Sequence, residues 1–374
     1  MVKNLKLLNF RNYAQLELNF DSRPTVLVGD NAAGKSNILE AVYLLSTSKS
    51  QRVGSEAELI KQGEEFSKVQ CEIATDPSDP RNDTTRRAFG TVVIASEAKQ
   101  SLEVTMQILN NQFTKRVKVN GVPRRSVDFI GNLPAVIFYP SDINMVTGSP
   151  SLRRWHLDMG LAQIDPDYKK ALSLYEQFLI SRNRVLKRIR EGLSRKDELD
   201  YWTEGLVKEA DIISEKRQIF FDFVNNLVTE LGEYKFKYVP SIVTLEKLNI
   251  TNGREVAAVA TLIGPHRDDY EVQIRNSKFE IRNLSKFGSR GEQRTATLAF
   301  KLALLEYMAL ILGKRPVLLL DDVFSELDAS HRAHVVEVVS RQQTIIATVE
   351  LENIPKAFLN SARILRVENG KIKI

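Results

Sequence analysis

The stretch GDNAAGKS, residues 29–36, constrains the fold of this 374-residue chain more than any other. It fits the pattern G-x-x-x-x-G-K-[ST] and sits in the context that pattern needs. PTVLVGD before it reads as a short buried strand. After it, Ile38, Leu39, Val42 and Leu45 recur at helical spacing. Strand, glycine loop and helix in that order make a cradle for phosphate. The loop turns its backbone N–H groups toward phosphate oxygens, and the helix start adds the positive end of its dipole. A chance match in a chain of this length has odds on the order of one in a hundred. Gly29, Asp30, Asn31, Ala32, Ala33, Gly34, Lys35 and Ser36 are therefore expected to bind a nucleotide. Lys35 would reach the β- and γ-phosphates, and the Ser36 hydroxyl would ligate Mg2+.

A second stretch completes the chemistry. PVLLLDD, residues 316–322, is an apolar strand ending in two carboxylates. Successive side chains on a strand point to opposite faces. One carboxylate can then hold Mg2+ through its shell while the next polarises the attacking water. These roles fall to Asp321 for the metal and Asp322, with Lys35, for catalysis. The plain alternative is a strand running into an acidic turn, which becomes improbable beside a phosphate loop.

A pass along the chain gives an α/β organisation with a helical interruption. The opening KNLKLLNFRNYAQLELNF reads as two strands around an FRNY corner, with Leu16, Leu18 and Phe20 on one face. Residues 66–139 read mostly as short strands, with a polar loop at 76–85 and a hairpin signal at Asn120-Gly121. After about residue 150 the apolar period changes to three and four, through Tyr168, Leu172, Tyr175, Leu179, Leu186 and Ile189. A second helical run, from Trp202 to Leu231, follows a short break. The pair predicts an antiparallel helical hairpin, after which strands return from about residue 240. The expected domains are a discontinuous lobe of residues 1–150 and 241–374, and a mainly helical second lobe of residues 151–240.

GSRGEQRT, residues 288–295, opens a long apolar helix. Ser289 suits an N-cap, and Gly291 leaves room for a phosphate to approach closely. By itself the stretch reads as an ordinary capped helix.

Composition sets the outer bounds. Hydrophobic residues make up 43% and charged residues 27%, as in a globular protein. No apolar run is expected to reach transmembrane length, and the N-terminus lacks a signal-peptide core. The single cysteine, Cys71, cannot form an internal disulfide, which fits a reducing cytoplasm. A formal charge of +6 favours a polyanionic partner only mildly. Two basic stretches stand out. One carries Lys115, Arg116 and Lys118 without acids; the other carries Arg182, Arg184, Lys187 and Arg188. Such residues neutralise phosphates without reading sequence, although a charge run is commonly only a solvated face.

The phosphate loop, the S-x-G-[EQ] helix start, the apolar strand ending in Asp-Asp and the SELD after it together resemble the ATP-binding-cassette ATPases. The resemblance is to the branch that includes SMC and double-strand-break-repair heads. LKLLNFRNY, VIFYPSDINMVTGSPSLRRWHLD, LIGPHRDDY, FGSRGEQRT and LLLDDVFSELD narrow it to the RecF family of bacterial recombination and gap repair. The resemblance implies an ABC-type P-loop ATPase head, lobe I, with the inserted lobe II. It implies that Ser289, Gly291 and Glu292 form a signature contacting ATP held by another copy, with Asp328 as the D-loop acid. Arg11 and Asn12 would approach the adenine or ribose. Tyr139–Asn144 stands where a Q-loop would be; it has no glutamine, and Asp142 is the substitute. Thr348 stands where a histidine would contact the γ-phosphate, and the second Walker B acid is the shorter Asp, both of which point to slow hydrolysis.

The family function follows as an expectation. ATP binding would drive dimerisation on DNA, and slow hydrolysis would release it, in recombinational gap repair and replication restart. The chain would be a weak, DNA-stimulated ATPase acting as a switch, supporting recombinase loading and the SOS response. Expected partners are DNA at single-/double-strand junctions, a second copy, and RecR with RecO and RecA, all cytoplasmic and away from membranes. Two alternatives are the ATPase subunit of a transporter and an ATPase-coupled nuclease.

Overall fold

The computed structural model describes residues 1–75, 98–227, 231–275, 281–327 and 329–373. The polar loop expected at 76–85 lies outside the described residues, as does Asp328. The chain opens with β1 (Val2–Phe10) and β2 (Tyr13–Asn19), paired antiparallel around Arg11 and Asn12. Leu16, Leu18 and Phe20 are all buried. β3 (Thr25–Val28) is buried throughout and leads through the glycine loop to α1 (Lys35–Thr47). β4 (Phe66–Thr75), β5 (Ala98–Leu109), β6 (Gln112–Val119) and β7 (Val122–Arg124) follow, then α2 (Ser126–Phe129) and β8 (Ala135–Phe138). Asn120 and Gly121 turn β6 into β7 with φ of 53° and 77°, the left-handed pair a two-residue hairpin needs.

The middle of the chain holds α3 (Asn144–Thr147), α4 (Pro150–Leu161), α5 (Pro166–Arg190), α6 (Asp200–Asn226) and β9 (Tyr234–Val239). It continues through α7 (Leu245–Ala258), β10 (Asp269–Arg275), β11 (Ile281–Asn283), α8 (Leu284–Phe287) and α9 (Arg290–Leu312). The last part is β12 (Val317–Asp321), α10 (Ala329–Val339), β13 (Thr344–Thr348), α11 (Lys356–Leu359), β14 (Arg363–Glu368) and β15 (Lys371–Lys373).

Contacts divide the chain into two compact units, Met1–Pro140 with Arg315–Ile374, and Ser141–Lys314. The first contains two six-stranded sheets. One is antiparallel, in the order β2-β1-β4-β5-β6-β7. The other has the order β15-β14-β3-β13-β12-β8 and is parallel from β14 to β8. Its strands β3, β13, β12 and β8 are buried at every position, as a sheet covered on both faces requires.

The second unit is more than a helical hairpin. The hairpin is there, as α5 against α6, but β11, β10 and β9 form an antiparallel three-stranded sheet beside it. The division also falls at 140 and 314, not at the expected 150 and 240. Residues 241–314 join this unit because their aromatic rings pack there. Phe220 and Phe221 of α6 meet Phe300 of α9, and Phe300 stacks on Tyr270 of β10 at 5.3 Å. Periodicity identifies an element's type and not the core it joins. It also missed α7, whose sequence carries Asn249, Asn252 and Gly253, poor helix formers. Thr244 caps α7 by accepting from the Lys247 amide, and Leu248 and Glu255 bury against the hairpin.

The hairpin is tied to GPHRDD, residues 264–269, through buried charge. Arg217 of α6 donates to Asp268 Oδ2 at 2.6 Å, to Pro265 O at 2.9 Å and to Asp158 at 2.7 Å. Tyr238 also donates to Asp268, and the Ser241 amide reaches its other oxygen at 2.6 Å. Arg153 grips Asp269 with two bonds, at 2.6 and 2.9 Å. The stretch is therefore a knot of packing within this unit.

α9 passes a length and hydropathy test for a membrane span, unlike the expectation that no run would. It is 72% buried over that window, as the core helix of a globular unit is. Removing one partner from a buried ion pair leaves an uncompensated charge, so Asp268→Ala should cost about 3–5 kcal/mol. Urea unfolding measures this; a loss under about 1 kcal/mol would mean the knot adds little beyond a surface pair.

Candidate nucleotide site

The glycine loop joins β3 to α1 in the first unit. Gly34 has φ 114°, a conformation that other L residues rarely adopt. An added Cβ there would lie 2.6 Å from Asn12 Nδ2 and 2.7 Å from the Tyr13 hydroxyl. Gly29 is restricted by space instead, since its Cβ would lie 2.2 Å from Val367 O of β14. Both glycines are set by neighbouring elements as much as by the loop.

Lys35 is buried at the start of α1. Its Nζ donates to Gly29 O at 2.7 Å and to Asp30 O at 2.8 Å, bridging the loop. Burial pushes its pKa below the usual lysine range, opposed by the nearby Asp321, Asp322 and Asp30. Ser36 Oγ donates to Asp321 Oδ1 at 2.7 Å. Burial raises the Asp321 pKa, against the pull of the Ser36 hydroxyl. Asp322 begins the turn after β12 in a left-handed conformation, φ 50°, with its amide bonded to Ala347 O at 2.8 Å.

These groups line one cavity of about 270 Å3. Asn31, Ala32, Gly34, Lys35, Ser36, Asp321 and Asp322 form its wall, with Asn37, Arg52, Pro140 and Val349. Among the described residues no cluster of three or more His, Cys, Asp or Glu could hold a metal alone. Mg2+ at a phosphate loop needs no such cluster. It takes hard oxygen ligands and keeps waters and phosphate oxygens in its shell. A serine hydroxyl and a carboxylate oxygen 2.7 Å apart fit that donor set.

Arg52 was not legible in the sequence as a site residue. It lies 16 residues beyond Ser36, in no motif, and only the return of the chain past α1 brings it to the cavity. Arg11 and Asn12 do not line the cavity. Asn12 supports the loop from behind, donating to Ala33 O at 3.2 Å and accepting from Asn37 at 2.8 Å. Arg11 is clamped on Glu40 by two bonds at 2.8 and 2.9 Å. Thr348 ends β13 with its hydroxyl bonded to Glu350 O at 2.9 Å.

The second helix start lies in the other unit. Ser289 caps α9, accepting from the Glu292 amide at 3.2 Å, while Glu292 accepts from the Ser289 amide at 2.7 Å. That amide, above all, holds the Glu292 carboxyl below the usual range, with Arg282 at 2.7 Å adding to it. A Cβ on Gly291 would meet nothing nearer than Ser289 Oγ at 4.0 Å. Ser289 and Gly291 are both exposed. Asp142, the expected Q-loop substitute, is not an open ligand. It is buried in this unit as the ion-pair partner of Lys301, with His156 Nε2 3.7 Å away. Burial, reinforced by Lys301, keeps His156 neutral by pushing its pKa well below 6.5.

The basic stretches differ in burial. Arg182 is 1% exposed and spends its guanidinium on Thr203, Thr261 and Glu255, so it cannot reach a phosphate backbone. Lys115 is bound to Glu56 and to Ser48 O at 2.7 Å, and Lys118 pairs with Glu103 at 2.9 Å. Arg116, Arg184, Lys187 and Arg188 are exposed, with Glu191 3.9 Å from Lys187 and Arg188 donating to Leu193 O at 3.3 Å.

The whole chain has known counterparts. Residues 1–373 match the family model RecF/RecN/SMC N terminal domain. A protein of Halalkalibacterium halodurans named DNA replication and repair protein RecF is 33% identical, with 100% of this chain and 99% of the relative covered. The protein of that name in Oceanobacillus iheyensis is also 33% identical, with 99% of each covered. A solved structure of the recombination mediator protein RecF with ATP superimposes with a TM-score of 0.82 at 26% identity, covering 100% of this chain and 98% of that one. An SMC head bound to the C-winged helix domain of ScpA shares the fold at a TM-score of 0.53 and 15% identity, covering 100% and 96%.

The raised Asp321 pKa has a testable sign. A carboxyl with a raised folded-state pKa adds stability below its unfolded pKa, and that contribution is lost as pH rises through the folded value. Asp321→Asn should therefore raise the unfolding midpoint of the nucleotide-free protein at pH 7. The difference should vanish as pH falls through the carboxylate range. The same variant should lose Mg2+-dependent nucleotide binding. Thermal melts across pH and calorimetric titration test both halves; a lower midpoint at pH 7 would contradict the burial argument.

Proposed function

The chain belongs to the RecF family, and on that premise we propose that it is an ATP-dependent DNA-binding protein of recombinational gap repair and replication restart. The observation that carries this reading is the cavity where Lys35, Ser36, Asp321 and Asp322 converge. Gly29 to Ser36 take the triphosphate, with loop N–H groups and Lys35 on the β- and γ-phosphates. Ser36 and Asp321 would hold Mg2+, which would neutralise phosphate charge there. Asp322, one position further and turned out of the strand, orients the attacking water.

The second copy supplies what one chain lacks. Ser289 already accepts the Glu292 amide, so its hydroxyl proton can be donated elsewhere. Gly291 leaves open space over the first turn of α9. The pair suits the γ-phosphate of ATP held by a partner, with Asp328 contributing from the D-loop. Two copies then close with two ATP molecules between them. Closure is a population shift, favoured because the signature contacts ATP only in the closed state. The shorter acid Asp322 and the absence of a histidine at Thr348 fit slow hydrolysis. The chain thus acts as a weak, DNA-stimulated ATPase and a timer.

Exposed Arg116, Arg184, Lys187 and Arg188 are the cations that suit DNA phosphates, at single-/double-strand junctions. The solved relatives act in the RecFOR pathway. By membership this chain works with RecR, and with RecO and RecA, in the cytoplasm, toward recombinase loading and the SOS response.

Sedimentation velocity with ADP, ATP, and ATP plus duplex tests the switch. Wild type should dimerise with ATP and not with ADP, whereas Ser289→Arg should stay monomeric while still binding ATP. A wild type monomeric under every condition sinks the sandwich, and equal loss of ATP binding in the variant puts the signature in cis. Arg188→Glu should weaken duplex binding regardless of sequence and flatten the log–log salt slope by about two units in a dimer, one per protomer. An unchanged slope would remove α5 from the DNA surface.

A further inference from the structure

Glu40 lies on α1, one turn beyond Ser36, and is 1% exposed. Both of its oxygens are occupied. Oε1 accepts from Arg11 Nη2 at 2.8 Å and from Ser50 Oγ at 2.5 Å. Oε2 accepts from Arg11 Nε at 2.9 Å and from Arg52 Nη1 at 3.3 Å. One buried carboxylate thus faces two guanidinium groups, and their holds on it are unequal. Arg11 grips it with the parallel pair of bonds that makes an arginine–carboxylate contact strong. Arg52 has one long bond to it, and a second bond of 3.1 Å to Asn37 Oδ1. The Arg52 guanidinium lies 5.6 Å from the centre of the Tyr139 ring, and its side chain is 33% exposed.

Arg52 also lines the nucleotide cavity, beside Ser36 and Asp321. It is therefore the one member of this group that faces both Glu40 and whatever occupies the cavity. The geometry points to Glu40 as a positioning residue that holds Arg52 back, so that the nucleotide phosphates compete with a protein carboxylate for this arginine. This rests on the reading of the cavity as an ATP site. A ligand with more negative charge competes better, so ATP draws Arg52 more strongly than ADP does. Glu40 then lowers affinity for both nucleotides and sharpens the response to the γ-phosphate. A purely structural Glu40 predicts the reverse: its loss would loosen the Arg11 corner and weaken nucleotide binding together with the fold.

The test is Glu40→Gln, which keeps shape and removes charge, measured by calorimetric titration with Mg2+-ATP and Mg2+-ADP and by thermal melting. The melting midpoint should fall, since two arginines lose their buried counter-charge. The Kd for ATP should nevertheless fall by about three- to tenfold, and that for ADP by less. Arg52→Gln added to the variant should erase the gain. If Glu40→Gln does not fold, Glu40→Asp serves instead. One methylene shorter, it gives up the long Arg52 bond before the paired Arg11 bonds and should shift ATP affinity the same way. Weaker ATP binding in step with the lower midpoint, or a gain that survives loss of Arg52, overturns the proposal. A wild type that binds neither nucleotide would instead defeat the reading of the cavity itself.

Discussion

A hydrogen bond of 2.7 Å from Ser36 to Asp321 joins residues 285 positions apart in sequence. It can form because one strand, β13, lies between β3 and β12 in the parallel sheet. The loop after β3 and the carboxylate at the end of β12 thus reach the same edge, with one strand's spacing on either side of β13. The strands before and after the inserted unit must close into one sheet before the cavity has a floor. The site consequently depends on a long-range pairing and cannot be a property of the glycine loop alone. Gly29 reflects the same dependence, because β14 passes where its side chain would be.

Much of this was legible in the sequence, and for identifiable reasons. The glycine loop and PVLLLDD announced themselves because backbone geometry and strand burial leave few residue choices there. Ser289 was legible as a cap because the capping box is local, formed within four residues. What could not be read was the pairing of charges distant in sequence. Arg182 and Arg184 look alike on the page, two residues apart on one helix. In the fold one is buried against Glu255 and the other is exposed. Asp142 is a case of the same kind, since its ion-pair partner Lys301 is 159 residues away. The boundary of the second unit was also hidden, because aromatic packing among Phe220, Phe221, Tyr270 and Phe300 decided it.

Charge is handled differently in the two units. In the second, acids and bases are buried in closed sets: Arg217 with Asp158 and Asp268, Arg182 with Glu255, Lys301 with Asp142. Each satisfied set fixes one arrangement of helices, because separating it would strand a charge in the interior. In the first unit, a lysine, an arginine and two acids meet on the cavity wall. Lys35 is bonded only to carbonyl oxygens, and burial already penalises its charge. Two adjacent acids, Asp321 and Asp322, share the cavity wall. Lys35 and Arg52 offset part of the acids' charge, and Asp321, Asp322 and Asp30 offset part of that of Lys35. On the reading proposed above, a magnesium–phosphate ligand would meet cations and acids on the same wall, which argues for it more firmly than the cavity's volume does.

The helix starts of α1 and α9 solve the same electrostatic problem with different means. Each begins with N–H groups that have no partner within the helix, and with the positive end of a dipole. At α1 the preceding residue is Gly34, which makes no side-chain cap, so no capping side chain occupies the first-turn amides. At α9 Ser289 and Glu292 satisfy each other, and the helix is stable without one. An anion at α1 would therefore complete a helix start that no side chain caps. An anion at α9 adds to a helix start that is already closed, through the remaining proton of the Ser289 hydroxyl and the gap at Gly291. On the proposed reading, that asymmetry would suit a primary nucleotide site on one copy and a reporting contact from another. The first site must bind on its own, whereas the second needs to register only what has already been bound.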